Sequence, residues 1–161
     1  MAGTGNFGYK IQTRFMARAE YFELHLTQPD ETVYDLLVEN GLPTADLETG
    51  DLQLFKAIVG GEVVGIGGFE QYGTDALLRS VVVHPDLRGR GYGTRICLEL
   101  EDKMCESVCM AIYLLTDDAS GFFGQLGYEQ VDRDSAPDAI QRTREFSELC
   151  PSTAVCMVKT I

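Results

Sequence analysis

The sequence predicts an α/β (α+β) fold in which one mixed, mostly antiparallel central sheet carries helices on both faces. Two observations indicate this class. Three strand-like runs follow one another with short turns between residues 52 and 83, which is typical of an antiparallel meander. From about residue 91 onward, helix-like and strand-like runs alternate instead, and this alternation is typical of a sheet covered by helices.

Two elements precede the meander. The run YFELHL, which begins at Tyr21, predicts a first strand. The run PDETVYDLLVEN over residues 29–40 predicts a short helix, because acidic residues occupy its first turn and Gly41 follows its end. A loop containing Pro43 then leads into the meander.

The meander is defined by its turns. Gly60 and Gly61 separate the runs LQLFKAI (52–58) and EVVGIGGFE (62–70), and a two-glycine spacer between strand-like runs predicts a hairpin. The run LLRSVVV over residues 77–83 predicts the last strand of the meander.

The second half begins with the main helix. Residues 91–108 predict this helix, because Ile96, Leu100, Met104 and Val108 recur at four-residue spacing and form one apolar stripe. The elements after it are predicted as a strand at 110–115, a helix at 118–126, a strand at 128–131, a helix at 136–148 and a final strand, AVCMVKTI.

Charge and hydropathy bound the class of protein. The formal net charge of -12 at pH 7 argues against nucleic acid or an anionic membrane as a partner, since both need a basic surface. No apolar run approaches the ~20 residues that span a bilayer, and no secretory signal is visible, so the expected compartment is the cytoplasm. Residues 1–18 are expected to be a flexible extension or a leader, followed by a single domain over residues 19–161.

The cysteines predict neither a disulfide framework nor a structural metal site. Their number is odd, and no CxxC pair of the zinc-binding type occurs. Reduced and mostly buried thiols are therefore expected at Cys97, Cys105, Cys109, Cys150 and Cys156.

The most informative segment is VVVHPDLRGRGYGTR, residues 81–95, where a strand-like run meets the main helix. Three glycines alternate there with arginines, and residues 79–95 contain four arginines but a single acid, Asp86. A helix N-terminus offers unpaired N–H groups and a partial positive charge, and glycines let an anion approach the backbone. The segment therefore predicts a site for a phosphate-bearing ligand, and a tight turn with solvated arginines is the alternative.

Two common phosphate-binding loops do not fit this segment. A Walker loop needs a Lys-Ser/Thr pair after its last glycine, whereas Gly93 is followed by Thr94 and Arg95. The dinucleotide-binding fingerprint GxGxxG has a different glycine spacing from Gly89, Gly91 and Gly93. Neither an NTPase nor a Rossmann-type dinucleotide site is therefore predicted.

RGRGYG resembles the pyrophosphate loop of the GNAT superfamily of N-acetyltransferases, written (Q/R)xxGx(G/A), with Arg88, Gly91 and Gly93 at its defining positions. The strand and the His/Pro turn before the loop are also similar to this family. So are the segment ASGFFGQLGYEQV and the order of elements from Tyr21 to Ile161. The resemblance extends over about 140 residues.

The resemblance implies a GNAT-type fold and an acetyltransferase that uses acetyl-coenzyme A (acetyl-CoA). In this family the strand before the loop splays from its neighbour, and the pantetheine arm lies in the gap. By this likeness, the backbone of Val81, Val82 and Val83 holds the pantetheine and orients the thioester carbonyl. The likeness assigns the pyrophosphate to Arg88, Gly89, Arg90, Gly91, Tyr92, Gly93 and Thr94.

The C-terminal half resembles the arsenic-resistance N-acetyltransferase-like branch and, more distantly, the acetyltransferase domain of N-acetylglutamate synthases. This likeness implies that the acceptor is a small primary amine, an amino acid or an analogue of one, which attacks the thioester directly in a ternary complex. It also makes a homodimer plausible, through the exposed edge of the last strands. The alternative function is a non-catalytic module that binds or senses acyl-CoA.

The family pattern breaks at Phe123. Many members have a tyrosine there, in a register that Gly127 fixes, and this tyrosine acts as general acid beside the coenzyme sulfur. Phenylalanine cannot donate a proton, so the thiolate is expected to leave unaided. Phe123 is expected to contact the cofactor, and the alternative is that Phe122 and Phe123 are both core aromatics. Glu70 is the candidate general base, with an ordinary surface carboxylate as the alternative. His25 and His84 are weaker candidates, and a capping role is expected for His84.

Arg79 lies within LLRSVVV, which is otherwise apolar enough to be a central strand. It needs a partner there, because an unpaired buried charge costs several kcal/mol. One candidate partner is the carboxylate of an amino-acid-like substrate, bound by two parallel hydrogen bonds. The other is an internal salt bridge to Glu70 or to a helix carboxylate.

The acidic composition also favours a halophilic source with a salt-rich cytoplasm, where salt screens the repulsion among carboxylates. We predict that the midpoint of thermal unfolding rises when the salt concentration increases from ~0.1 M to ~1 M, as the Debye length falls from ~10 Å to ~3 Å. A midpoint that stays constant or falls over this series would contradict the halophilic interpretation.

Overall fold

A computed structural model describes residues 21–161, and the predicted extension over residues 1–18 lies outside that range. One seven-stranded sheet runs through the described residues. Its strands are β1 (Phe22–Thr27), β2 (Leu52–Val59), β3 (Glu62–Tyr72), β4 (Asp75–Val83), β5 (Ala111–Thr116), β6 (Glu129–Val131) and β7 (Val155–Thr160).

The strands lie in the order β1-β2-β3-β4-β5-β7-β6 across the sheet. Every neighbouring pair is antiparallel except β4 and β5, which run parallel, so the predicted mixed, mostly antiparallel sheet is confirmed. The predicted meander corresponds to β2, β3 and β4, and its glycine turn places Val59 opposite Glu62. β6 is a three-residue edge strand, and a homodimer through this edge stays a prediction.

Helices cover both faces of the sheet. Helix α1 (Glu31–Glu39) has Asp30 as its N-cap, and Asp30 Oδ1 accepts a hydrogen bond from the Val33 N–H at 3.1 Å. Helix α2 (Tyr92–Cys105) covers the opposite face, because the adjacent residues Leu54 and Phe55 of β2 belong to separate cores. None of the helices within residues 21–161 is long and apolar enough to cross a membrane.

The predicted apolar stripe of α2 is confirmed for three of its four members. Ile96, Leu100 and Met104 are fully buried against the sheet. Val108 is 68% exposed, so its predicted place in the stripe is wrong. The helix ends before Val108 because the hydroxyl and the backbone N–H of Ser107 both donate to the Met104 carbonyl, at 2.7 and 3.2 Å.

The C-terminal helix predicted over residues 136–148 is wrong as one continuous element. The chain forms several short pieces there instead. After the short helix α3 (Ser120–Gln125) and strand β6 come a 3-10 turn (Arg133–Ser135), helix α4 (Asp138–Gln141) and a π-helical turn (Glu145–Leu149).

Thr143 separates α4 from the π-helical turn. Its hydroxyl donates to the Ile140 carbonyl at 2.7 Å and accepts a hydrogen bond from the Phe146 N–H at 3.4 Å. A side chain that bonds to the backbone in this way competes with the regular helical ladder. Ile140 and Phe146 are both buried, so the apolar spacing of this segment resembles that of one continuous helix. The break turns Glu145 toward the interior, where it is 4% exposed.

Gly65 of β3 permits the close approach of β4 and α2 to this strand. A Cβ atom at Gly65 would lie 2.4 Å from the Val82 carbonyl oxygen and 2.9 Å from Ile96 Cδ1. Both distances are well inside van der Waals contact, and the carbonyl is fixed by the sheet. The position of α2 over the sheet therefore depends on a glycine at this site.

We predict that Gly65→Ala lowers the free energy of unfolding by about 1–3 kcal/mol, the usual cost of overpacking a core. Gly50→Ala is the matched control, because a Cβ at Gly50 has no atom within 4 Å and its φ is not positive. Denaturant unfolding measures both variants. Equal stability of the two would show that the sheet and α2 can move apart at little cost.

Candidate active site

β4 and β5 pair along only part of their length. The parallel register covers three residue pairs and stops at Leu77 and Tyr113. β4 nevertheless continues to Val83, and β5 continues to Thr116. Beyond Leu77 the two strands splay apart, so their facing N–H and C=O groups have no ladder partner in each other.

A β-bulge at Ser80 redirects β4 inside the splayed region. The register between β3 and β4 shifts there, since Gly68 lies opposite Arg79 whereas Ile66 lies opposite Val82. Ser80 has a φ of 58°, a left-handed conformation that costs a residue other than glycine about 1–3 kcal/mol. Strain of this kind is typical of functional sites, and the bulge interrupts the ordinary alternation of side chains along the strand.

A cavity of about 770 Å³ fills the space between the splayed strands. This volume is within the range of small-molecule sites. The structure brings nearly all predicted cofactor residues to its wall, and Arg90 is the exception, since it lies in a separate small pocket beside Phe22. The predicted residues that line the cavity are Val81, Val82, Val83, Arg88, Gly89, Gly91, Tyr92, Gly93, Thr94 and Phe123.

The N-terminus of α2 lies at one end of this cavity. Gly91 precedes the helix with a φ of 83°, which glycine adopts without strain. The first bond of the helix runs from the Arg95 N–H to the Gly91 carbonyl at 3.1 Å, so the N–H groups before Arg95 have no partner within the helix. Within the described residues no side chain caps this end. It therefore fits an anionic phosphate group.

Short-range hydrogen bonds hold the loop before α2. His84 Nδ1 accepts a hydrogen bond from the Asp86 N–H at 3.3 Å, which confirms the predicted capping role of His84. Arg88 Nε donates to the Val83 carbonyl at 3.3 Å, and the Arg88 guanidinium also donates to Asn40 Oδ1. These contacts hold Arg88 between the end of β4 and Asn40, and Arg88 lines the same cavity as the first residues of α2.

These features fit acetyl-CoA. The open helix end and Arg88 fit the pyrophosphate, and the side of residues 81–83 that faces β5 without a ladder fits the amide groups of the pantetheine arm. Phe122 supplies an apolar wall next to Gly93, where a Cβ atom would lie 3.4 Å from the edge of the Phe122 ring. Together the splayed strands and the phosphate-binding helix end define a transferase that uses an acyl-CoA thioester.

Comparisons with known proteins agree with this geometry. Residues 50–130 match the family described as acetyltransferase (GNAT) domain. The chain is 34% identical over 122 residues to an acetyltransferase of Pectobacterium atrosepticum, covering 70% of this chain and 85% of that protein. N-acetylglutamate synthase from Neisseria gonorrhoeae, complexed with coenzyme A and N-acetyl-glutamate, shares the fold with a TM-score of 0.68 at 13% identity, over 86% of this chain and 35% of the synthase.

A GNAT family acetyltransferase from Elizabethkingia anophelis with acetyl-CoA bound gives a TM-score of 0.65 at 14% identity, over 87% of this chain and 98% of that one. The chain belongs to the GNAT acetyltransferase family. It is an acyltransferase, and acetyl-CoA is its acyl donor. The resemblance to the GNAT superfamily seen in the sequence is therefore confirmed.

Phe123 packs in the core and also reaches the cavity wall. It is 8% exposed, and its ring meets those of Phe122 and Tyr128 edge to face, at centroid distances of 5.0 and 5.7 Å. The Tyr128 hydroxyl is turned away from the cavity, since it donates to Glu101 Oε1 at 2.9 Å. Burial raises the pKa of Tyr128 above its ordinary value. Phe123 thus places an apolar ring where many family members have a tyrosine, and the hydroxyl of its neighbour Tyr128 is bonded to Glu101.

Arg79 is buried and holds a cluster of three carboxylates. Its terminal nitrogens donate to both carboxylate oxygens of Asp46, one of them at 2.7 Å. Glu70 Oε2 lies 3.6 Å from Arg79 Nη1, and Glu145 Oε2 lies 3.7 Å from Arg79 Nε. Burial alone would lower the pKa of Arg79, but the bond to Asp46 and the nearby glutamates raise it above its ordinary value.

The structure thus contains the internal salt bridge, one of the two alternatives that the sequence left open for Arg79. Asp46 is the partner at hydrogen-bond distance, and the predicted ion pairs with Glu70 and with a helix carboxylate, that of Glu145, are present at 3.6 and 3.7 Å. A substrate carboxylate would have to displace Asp46 to bind Arg79 in the same two-bonded way. The substrate-binding role of Arg79 is therefore not proposed further.

The two glutamates of the cluster face different ways. Glu70 is buried behind the cavity wall, where its Oε1 accepts a hydrogen bond from the Tyr72 hydroxyl at 3.3 Å. Glu145 lines the cavity together with Cys150. Burial raises the pKa of both glutamates, and it raises that of Glu145 to about 7 even though Arg79 lowers it. A carboxyl group with such a pKa can exchange a proton near neutral pH.

Sequence reasoning missed Asp46 and Glu145. Asp46 occurs in the acidic stretch TADLETGD, and Glu145 occurs in REFSEL, where it fits the exposed side of an amphipathic helix. The one signal that pointed to them was Arg79, whose place in an apolar strand required a buried carboxylate somewhere in the chain. That signal does not say which of the acidic residues is the partner.

We predict that saturating acetyl-CoA raises the midpoint of thermal unfolding, since a ligand at 100 times its Kd adds ~2.7 kcal/mol of stability. Arg88→Ala should weaken binding by about 10- to 100-fold, because hydrogen bonds to charged groups contribute ~1.5–3 kcal/mol. The control is Arg95→Ala in the first turn of α2, because Arg95 pairs with Glu99 at 2.9 Å. An equal loss in both variants would assign the effect to net charge, and no shift in the wild type would contradict the cofactor site.

Proposed function

We propose that this acetyltransferase moves the acetyl group to the primary amine of a small molecule, an amino acid or an analogue of one. The observation that carries the proposal is the cavity, which extends from the phosphate-binding helix end to Glu145 and Cys150 in one space of about 770 Å³. The pantetheine arm and the acceptor share this space, so the acceptor is small. Attack of the amine on the thioester in a ternary complex follows from this arrangement.

The charge at the acceptor end supports an amine. Asp117, Asp118 and Glu145 line the cavity, and two arginines line it as well: Arg88, in the loop that fits phosphate, and Arg79, which is bonded to Asp46. Carboxylates in excess attract an ammonium group and repel an anionic substrate. An acceptor with one positive amine and little negative charge near it therefore fits this end best.

The chain's own residues perform four tasks in this proposal. The loop from Arg88 to Thr94 binds the pyrophosphate, and the backbone of residues 81–83, on the side that faces β5 without a ladder, orients the thioester carbonyl and polarises it. Acetyl-CoA supplies the activated acetyl group. Phe122 and Phe123 exclude water from the sulfur end of the gap. Phe123 offers no proton, so the leaving thiolate departs without a general acid at this position.

The preference for amino acids rests on the resemblance of the C-terminal half and is supported by the fold shared with a synthase that holds N-acetyl-glutamate in its structure. The excess of carboxylates argues for neutral or basic amino acids over dicarboxylic ones. An amino acid and its carboxamide form a matched pair for testing this point, because they carry the same amine and differ in one carboxylate.

We predict that free thiol is released when acetyl-CoA is incubated with the enzyme and a panel of primary amines. Dicarboxylic amino acids should have a kcat/KM at least about tenfold below neutral ones, since each ~1.4 kcal/mol of repulsion is a factor of ten. A free amino acid and its carboxamide should react within about tenfold of each other, because Asp46 occupies Arg79. Cofactor binding without turnover of any amine would contradict the proposal and favour the non-catalytic acyl-CoA-binding alternative.

A further inference from the structure

We propose that Glu145 binds the ammonium group of the acceptor and takes its proton, which makes it the general base of the transfer. This inference rests on the proposed function and deepens it, because it assigns the acceptor a positively charged nitrogen beside one named carboxylate. It replaces Glu70, the base predicted from the sequence, with a residue that the sequence did not single out.

The first reason is the geometry of the Glu145 carboxylate. Glu145 lines the cavity and is 4% exposed. Its Oε1 lies 3.6 Å from Cys150 Sγ, and its Oε2 has no hydrogen-bond partner among the described residues. A buried carboxylate oxygen without a donor is costly. Glu70 Oε2 also lacks a donor, but Glu145 is the one of the two glutamates that lines the cavity, where a ligand can supply it. The three N–H bonds of an ammonium group are such donors.

The second reason is the local fold, which is built to place this carboxylate. Thr143 breaks the regular helix before Glu145, and the Cys150 N–H donates to the Glu145 carbonyl at 3.0 Å to close the π-helical turn. Turns of this kind occur frequently at functional sites. Phe146 is buried in the core and fixes the turn there, so the backbone of the turn holds Glu145 at the cavity wall.

The third reason is the set of charges that face Glu145. They come from every element packed around it: Arg79 from β4, Glu70 from β3, Asp46 from the loop after α1, and Cys150 from its own segment. Arg79 gives its two terminal nitrogens to Asp46, so Glu145 receives only the weaker attraction of Nε at 3.7 Å. Burial, Glu70 and Asp46 raise the pKa of Glu145 to about 7. A base is most effective when its pKa lies near the working pH.

The proposed transfer removes two protons from the acceptor nitrogen. One proton passes from the ammonium nitrogen to Glu145 Oε2, and the neutral amine nitrogen then forms a bond to the acetyl carbonyl carbon. The carbon–sulfur bond breaks, and its electron pair leaves on sulfur. The second proton that the nitrogen loses ends on that sulfur, and Glu145 returns its proton to solvent. The sum is one amide, one thiol and one released proton for each ammonium consumed.

Glu70 has a different part in this arrangement. It does not line the cavity, and its Oε1 is occupied by the Tyr72 hydroxyl. Its negative charge raises the pKa of Glu145. Glu70 is therefore a positioning residue that sets the pH at which Glu145 works, and removal of its charge should lower the pKa of Glu145.

The experiment compares Glu145→Gln, Glu70→Gln and Glu148→Gln by the pH dependence of kcat/KM for thiol release with a reactive amine. Glu148 is the matched control, because it lies in the same π-helical turn and is exposed, with Arg144 as its partner at 3.3 Å. The thermal shift with acetyl-CoA, recorded for each variant, shows that the variant is folded and binds the cofactor.

The wild type should lose activity as the pH falls through about 7. Glu145→Gln should lower kcat/KM by about 10²- to 10⁴-fold and abolish this acid limb. Glu70→Gln should keep the limb and move it to lower pH, because the carboxylate that raises the pKa of Glu145 has lost its charge. Glu148→Gln should leave the rate and the limb unchanged.

A Glu145→Gln variant that keeps the rate and the acid limb of the wild type would overturn the inference while the proposed function stands. Loss of the limb in Glu70→Gln alone would overturn it as well and would identify Glu70 as the base. If Glu145→Gln fails to fold, the pH dependence of kcat/KM in Glu70→Gln decides. An acid limb at the same pH as in the wild type would overturn the assignment of Glu145 as the base. A wild type that acetylates no amine would refute the proposed function and this inference together.

Discussion

The loss of backbone pairing between β4 and β5 beyond Leu77 is the constraint on which the rest of the structure depends. In a closed sheet these N–H and C=O groups would bond to each other, and no cavity would exist. The bulge at Ser80 turns β4 within the gap, and the close approach at Gly65 fixes α2 above it. The open helix end therefore comes to lie where the splayed strands end. A ligand with a pyrophosphate and a chain of amides is complementary to both features.

The burial of Arg79 in β4 determines the charge on the acceptor side of the cavity. A guanidinium on a central strand is buried wherever the sheet is covered, so the fold has to supply counter-charges around it. Three elements do so: the loop after α1 supplies Asp46, β3 supplies Glu70, and the segment before β7 supplies Glu145. One positive charge cannot neutralise three carboxylates. The excess negative charge arises because three separate segments each place a carboxylate beside Arg79, and it gives the cavity a preference for cations.

Most of the fold could be predicted from the sequence, because strands and long helices follow from local periodicity and from turn residues. The position of the glycine and arginine loop at the start of α2 could be predicted as well, since the run from Arg88 to Gly93 is contiguous. The errors concern features that apolar periodicity does not reveal, namely local side-chain hydrogen bonds and contacts with distant parts of the chain. Ser107 and Thr143 end or break helices through hydrogen bonds that no apolar period reveals. Asp46 and Glu145 meet Arg79 across 33 residues or more of chain, and nothing in their local sequence marks them as buried.

The buried carboxylate at the cavity wall also has a thermodynamic consequence for the whole protein. Its pKa is about 7 in the folded chain, against an ordinary value of 4.5, so the folded state holds a proton that the unfolded state has released between these two pH values. By linkage, the stability that this proton contributes is fully present below pH 4.5 and is lost progressively as the pH rises from 4.5 through about 7. The ionised carboxylate that the chemistry needs is the form that the fold tolerates least. Fold stability and catalytic readiness therefore oppose each other along the pH axis in this enzyme.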